Sequence, residues 1–291
     1  MIRKYNKEDI NEVIRFLKLH HELSSKEEQT KREALEKGIE IYVYDEDGII
    51  KGICSFTFWN NVELGQSTEV IMSILPGPEF CTIANEFWDE VVLKIIEEKK
   101  IKLLITDFNE KLEEWKSFYT NKGLSRWFGI HSMIYKGNKC RDSQLSYRNY
   151  EEHDFDNYFN NLGNCFSEMR EAVDIRPFNI FKNISQEKKE VLKKTTLEMK
   201  DKIFLFYDGE QFIGSSVILE EDIDDVFVVI EQQGKGYGRK ILESIINIAL
   251  EMNREKITLG VVDWNKRAYN LYKSLGFEIS QSFEHYRILI D

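Results

Sequence analysis

Between residues 238 and 253, apolar side chains fall at Ile241, Leu242, Ile245, Ile246, Ala249 and Leu250. That spacing is one face of an amphipathic helix. Before it, "DDVFVVI" (224–230) is a β-branched run, and after it "KITLGVV" (256–262) is another, so both are expected as strands. Two earlier stretches, "IYVYDEDGIIKGICSF" (41–56) and "IFLFYDGEQFIGSSVI" (203–218), are apolar runs interrupted by Asp-Gly. Asp-Gly supplies positive φ at a tight turn, so each stretch predicts a hairpin.

These patterns occur twice. "RKYNKEDI" from Arg3 aligns without a gap on "RNYEEHDF" from Arg148, with Asp9 opposite Asp154. The hairpins follow in the same order. Then "TDFNEKLEEWKSFYTNKGL" (106–124) echoes "VDWNKRAYNLYKSLGF" (262–277), the first copy carrying three extra residues within the helix. Three matches in one order predict a duplicated domain. The polar stretch "GNKCRDSQ" (137–144) is the expected seam, giving domains 1–137 and 144–291.

Composition narrows the classes of function. With 40 Lys and Arg against 51 Asp and Glu, the net charge is −11, which argues against nucleic-acid binding. It is compatible with amine substrates, or with no more than a solvated acidic surface. Four scattered cysteines give no C-x-x-C pair and no zinc pattern, and they suit a reducing compartment. The charged N-terminus is not a signal segment, and no apolar run approaches the roughly 20 residues of a membrane span. A cytoplasmic protein without metal is expected, a monomer or homodimer.

"EQQGKGYGRK" (231–240) lies where the strand turns into the long helix. Three glycines ahead of a helix N-terminus make an anion cradle, because amide N–H groups converge there and the helix dipole adds positive charge. Lys235 and Arg239 would reinforce it. A Walker loop is excluded, since no Gly-Lys-Ser/Thr ends the run. The spacing and late position do not suit a Rossmann turn. A structural turn with a solvated basic cap is the plain alternative.

Gln233, Gly236 and Gly238 form Gln-x-x-Gly-x-Gly, which resembles the acetyl-CoA-binding signature of the GNAT acyltransferase superfamily. "NKRAYNLYKSLGF" (265–277) resembles that family's second signature. Ile230 departs from it where proline is frequent. The resemblance implies an α/β fold, here two tandem copies, each a mixed and mostly antiparallel sheet flanked by helices. It also implies two central strands that splay, 224–230 and 256–262. Pantetheine would lie along Val228, Val229 and Ile230, pyrophosphate on the loop formed by Gln233, Gly234, Lys235, Gly236, Tyr237, Gly238 and Arg239, and Asn265 would bond near the pantetheine. Tyr272 would protonate the departing thiolate, and Asp225 would serve as base or hold a water. For each of the last three a plain role competes: helix N-cap for Asn265, packing for Tyr272, a solvated acidic turn for Asp225.

Residues 168–179 would wall the substrate, with Met169, Arg170, Asp174, Arg176 and Phe178, a mixture that names no acceptor. The first copy reads "ILPGPEFCT" (74–82) where the loop should be. Its two prolines have no N–H to offer, so residues 1–137 read as a degenerate copy without a cradle. The expected activity is acetyl transfer from acetyl-CoA to a small-molecule amine, a protein amine or a non-catalytic acyl-CoA sensor being the alternatives.

Overall fold

The Asp47-Gly48 turn joins strands paired through Glu46 and Ile49, and both turn residues have positive φ (53° and 82°). Such a two-residue loop matches the right-handed twist of the strands it joins. The second hairpin differs from the sequence reading by one residue. Asp208 pairs with Gln211, so the loop is Gly209-Glu210 and Gly209 alone has positive φ. Only glycine takes that first position without strain.

The computed structural model describes residues 1–20, 25–36, 40–182 and 184–290. The first half runs β1 (Ile2–Lys4), α1 (Ile10–His20), α2 (Ser25–Glu36), β2 (Glu40–Glu46), β3 (Ile49–Asn61), β4 (Gly65–Ile74), α3 (Phe80–Phe87), α4 (Leu93–Lys99), β5 (Leu103–Asn109), α5 (Glu113–Asn121) and β6 (Ser125–Tyr135). The second half repeats that order with one helix, α8, in place of α3 and α4: β7 (Ser146–Asn149), α6 (Phe155–Ala172), α7 (Gln186–Glu198), β8 (Ile203–Asp208), β9 (Gln211–Leu219), β10 (Asp222–Val228), α8 (Tyr237–Glu251), β11 (Thr258–Val262), α9 (Lys266–Leu275) and β12 (Phe277–Leu289). The three extra residues of the first copy are not in the helix, since α5 has 9 residues and α9 has 10. They fall before α5, because Asp107–Asn109 extend β5 whereas Asp263–Asn265 form a turn.

Two compact units emerge, and they do not divide at 137–144. One is Met1–Trp127 with Phe283–Asp291, the other Phe128–Ser282. In the first unit the strands run β1-β2-β3-β4-β5, and the C-terminal part of β12 closes the sheet antiparallel to β5, Phe283 opposite Asn109 and Leu289 opposite Leu103. In the second unit they run β7-β8-β9-β10-β11, and β6 pairs antiparallel with β11, Val262 opposite Ile130 and Thr258 opposite Ile134. Each copy's last strand thus completes the other copy's sheet. Apart from β4/β5 and β10/β11, the pairings given above are antiparallel or hairpin pairings.

Each unit has its own core. In the first, α3 to α5 cover Cys54, Phe56, Val70, Met72 and Leu104 on one face, and α1 lays Val13, Ile14 and Phe16 against Ile41, Val43 and Ile53 on the other. In the second, α8 buries Ile241, Leu242, Ile245, Ile246 and Ala249 against Ile213, Leu259 and Val261, as the helical spacing predicts. Ile241, Ile245 and Ile246 are fully excluded from water, and burial of each contributes about 1.5–3 kcal/mol. On the other face α6 packs Phe155, Tyr158, Phe159 and Leu162 over Leu205, Val217 and Phe227. Helices on both faces leave the C-terminal ends of β10 and β11 as the open place in this unit.

Candidate active site

β10 and β11 are parallel neighbours at one register pair, Asp222 opposite Thr258. Beyond it they part, so the edge of β10 that faces β11 is unpaired from Asp224 onward. The expected splay is therefore present, with β10 two residues earlier than read from the sequence (222–228 against 224–230) and β11 starting two residues later, at 258. On its other side β10 pairs with β9, and the register shifts between Asp224 and Phe227. Gly214 of β9 lies under this bend: a Cβ there would stand 2.1 Å from the Phe227 carbonyl oxygen, so only glycine fits.

The chain leaves β10 through a short 3₁₀ turn, Ile230–Gln232, and enters α8 at Gly236. Gly234 and Gly236 have φ of +78° and +87°, and a Cβ on either would meet nothing within 4 Å. Among the described residues, the amides of Gly234, Lys235, Gly236 and Tyr237 have no acceptor. Four unclaimed N–H groups over open space, at the start of a 15-residue helix, fit a phosphate group.

The side chains around the loop are placed differently from expectation. Arg239 is turned along the helix, hydrogen-bonded to Ser274 Oγ and within 3.8 Å of Glu243. Glu243, buried in the core face, is also held by Arg141 at 3.1 Å. Lys235 Nζ donates to buried Gln232 at 2.9 Å, and Tyr237 Oη donates to Asp208 at 2.6 Å. Gln233 Nε2 donates to the Val228 carbonyl at 3.1 Å, and Cys165 Sγ of α6 donates to the same oxygen at 3.3 Å. The expected edge at 228–230 needs correcting. Val229 N–H is already bonded to Ile213 and its carbonyl to Gln232, while the Ile230 carbonyl takes the Gln233 amide. Of the three residues, Val228 alone lies on the strand edge.

Asn265 caps α9, its side chain accepting the Ala268 amide at 3.1 Å, which realises the plain role. Tyr272, half-buried on α9, packs its ring 6.0 Å from that of Phe277. Its hydroxyl has no hydrogen-bond partner among the described residues. Burial, and then the nearby charge of Asp224, push its pKa up to about 12. Asp225 lies inside the register shift with φ of +47°. For a residue with a Cβ this costs of order 1–3 kcal/mol, and such strain collects at functional sites. Burial, and then the charge of Asp224, raise its carboxyl to about 6, because both disfavour the ionised form.

Asp225 faces a cavity of about 170 Å³ lined by α6 and the segment after it, including Phe166, Met169, Arg170, Phe178 and Phe181. Of the walls expected from the sequence, Met169, Arg170 and Phe178 line it. Asp174 and Arg176 form an ion pair at 2.7 Å elsewhere. Sequence reasoning missed Phe166, Phe181 and Cys165. For Phe166 and Cys165 the only signal is helical spacing on α6, which equally describes a core face, and Phe181, in the segment after α6, carries no periodic signal.

In the first unit, β4 leads to α3 through residues 75–79, where the Phe80 amide is taken by the Gly77 carbonyl at 3.1 Å. Glu79 stands at the N-cap, paired with Lys51 at 2.9 Å. A carboxylate and two prolines thus occupy the turn that in the second unit offers free amides. Among the described residues, no cluster of three or more His, Cys, Asp or Glu could hold a metal. No helix there is long and apolar enough to cross a membrane.

The profile of the Acetyltransferase (GNAT) family matches residues 169–277. The chain is 43% identical over 54 residues to thialysine N-epsilon-acetyltransferase of Bos taurus, which is 19% of this chain and 32% of that protein. It is 32% identical over 75 residues to the L-amino acid N-acyltransferase MnaT of Escherichia coli, 26% of this chain and 42% of that protein. The chain thus spans less than half the length of these relatives. A GCN5-related N-acetyltransferase from Sphaerobacter thermophilus superposes with a TM-score of 0.75 over 99% of this chain and 95% of its own, at 13% identity. A tandem GNAT protein from the clavulanic acid biosynthesis pathway superposes with a TM-score of 0.65 over 99% and 98%, at 11% identity. At such identities these likenesses show the fold.

Proposed function

From the match of residues 169–277 to the Acetyltransferase (GNAT) family we propose that the chain is a member of it and transfers an acetyl group from acetyl-CoA to the primary amine of a small molecule. The observation that carries this reading is the row of unclaimed amides at Gly234 to Tyr237 beside the unpaired edge of β10. The amides and the α8 dipole hold the pyrophosphate, and the Val228 edge aligns the pantetheine. The small cavity favours a small acceptor over a protein chain, since pockets for drug-sized ligands run to about 300–1,000 Å³.

When bound, acetyl-CoA supplies a thioester whose carbonyl carbon accepts the amine nitrogen as the C–S bond breaks. The protein's own groups move the protons. A primary alkylamine titrates near ~10.4, so at neutral pH it arrives protonated. Asp225, with a pKa of about 6, is ionised above that pH and takes the amine proton, directly or through a water. A base poised near the working pH combines availability with driving force. Tyr272, kept protonated by its raised pKa, gives its hydroxyl proton to the departing sulfur. The names of the two relatives, an acetyltransferase for thialysine and an acyltransferase for L-amino acids, support a small amine acceptor.

Calorimetric titration with acetyl-CoA, paired with thiol-release assays over amines, polyamines, aminoglycosides and peptides, tests this reading. One site per chain and release with a small amine are expected. Binding without release from any amine would make the protein a sensor, and two equivalent sites would contradict the lost cradle in the first unit.

A further inference from the structure

Among the described residues, Arg170 is a cation that no carboxylate neutralises. Its Nε donates to the Pro177 carbonyl at 2.9 Å, which fixes the plane of the guanidinium. Among the described residues its two terminal nitrogens have no hydrogen-bond partner and no carboxylate pairs with it. Burial lowers its pKa, with no anion offsetting the loss of water; a guanidinium nevertheless stays charged at any ordinary pH. A half-buried charge left without a partner is costly, and buried charges in proteins are normally paired.

The same cavity contains Asp225, whose carboxylate accepts no hydrogen bond among the described residues. The two charges are not each other's partners, since neither shifts the other's ionisation. Phe166, Met169, Phe178 and Phe181 line the space with them. The cavity therefore offers one positive group, one negative group and an apolar lining.

Resting on the acetyl-transfer reading above, we infer that the acceptor is an apolar α-amino acid, whose carboxylate is held by Arg170 and whose amino group faces Asp225. The fork of Arg170, with Nε occupied, still presents N–H groups in the plane that a carboxylate takes at two points. The site is then a specificity device. An amine without the carboxylate would leave the guanidinium desolvated and unpaired, and such a mismatch is penalised more than a missing methylene.

The experiment compares matched pairs: leucine with isoamylamine, and phenylalanine with phenethylamine, by thiol release from acetyl-CoA. The wild-type protein should prefer the amino acid by roughly 10–100-fold in kcat/KM, the worth of a charged hydrogen-bonded contact. Arg170→Gln should remove that preference, chiefly through KM, with acetyl-CoA affinity by calorimetry unchanged. Equal or better turnover of the bare amines by the wild-type protein would overturn the inference while leaving acetyl transfer intact. So would failure of every amino acid tried. Absence of acetyl-CoA binding would instead remove the reading on which it rests. The wild-type comparison stands even if the variant fails to fold.

Discussion

Arg148 holds Asp154 at two points, Nη1 to Oδ2 at 2.7 Å and Nη2 to Oδ1 at 2.6 Å. Asp154 also accepts the Glu151 amide at 2.8 Å, which ties β7 to the opening of α6. In the first copy Arg3 holds Asp9 in the same way, at 2.7 and 2.8 Å, and Asp9 takes the Asn6 amide at 2.9 Å. Burial works against the Asp154 charge, but the Arg148 and amide bonds outweigh it and hold the carboxyl below its usual range. A depressed carboxyl adds stability above its unfolded value, near ~3.9, and loses it as pH falls through the folded value. Asp154→Ala is expected to cost about 1–3 kcal/mol at neutral pH, below the figure for a fully buried pair because Arg148 is 37% exposed. Urea unfolding should show this cost shrinking in acid.

The loop and the bend beneath it separate binding from folding. Gly236→Val puts a branched side chain at φ of +87°, into the space the amides face. A folded protein with acetyl-CoA affinity lost is expected, read by circular dichroism and calorimetry. Gly214→Ala, with its Cβ against the Phe227 oxygen, should instead lower thermal stability. Unchanged affinity in Gly236→Val would end the cradle assignment.

Tyr272→Phe keeps the ring contact with Phe277 and removes only the hydroxyl. Acetyl-CoA affinity should hold, while kcat falls by roughly 10²–10⁴-fold, the usual worth of a general acid. A parental rate would return Tyr272 to a packing role.

Asp225 links activity to stability with opposite signs. As a base it must be ionised, so the rate should rise with pH through about 6, and Asp225→Asn should abolish that limb. As a buried acid its folded pKa lies above its unfolded one. Its contribution to stability is therefore full below ~3.9 and is lost as pH rises through about 6. Asp225→Asn should accordingly unfold at a higher temperature than the parent at neutral pH, with the difference vanishing in acid. A variant less stable at neutral pH would show that the carboxylate is a structural partner.

What the sequence made legible was local. The gapless match of Arg3 to Arg148 and Asp9 to Asp154 predicted two like openings, and both are there. The Ile241 to Ala249 spacing predicted the helix, and the glycines the turn before it. Pairing across distance was not legible. That β6 pairs β11 and β12 pairs β5 has no local sign, because a strand's period of two does not name its neighbour. Asp225 and Arg170 were named through the family resemblance, but the bulge that holds Asp225 and the lack of a partner for Arg170 were not legible, since sequence does not report an absence. Asn265, by contrast, did what its residue type favours.

The traded strands bear on why a copy without a cradle would persist. A fragment beginning at residue 144 would lack β6, which pairs β11, and would carry a β12 end whose partner is β5. Deleting the first copy would therefore strip the sheet that holds the proposed site of a member. The first copy's last strand is thereby needed by the second copy's sheet, whatever its own turn carries at Pro76, Pro78 and Glu79.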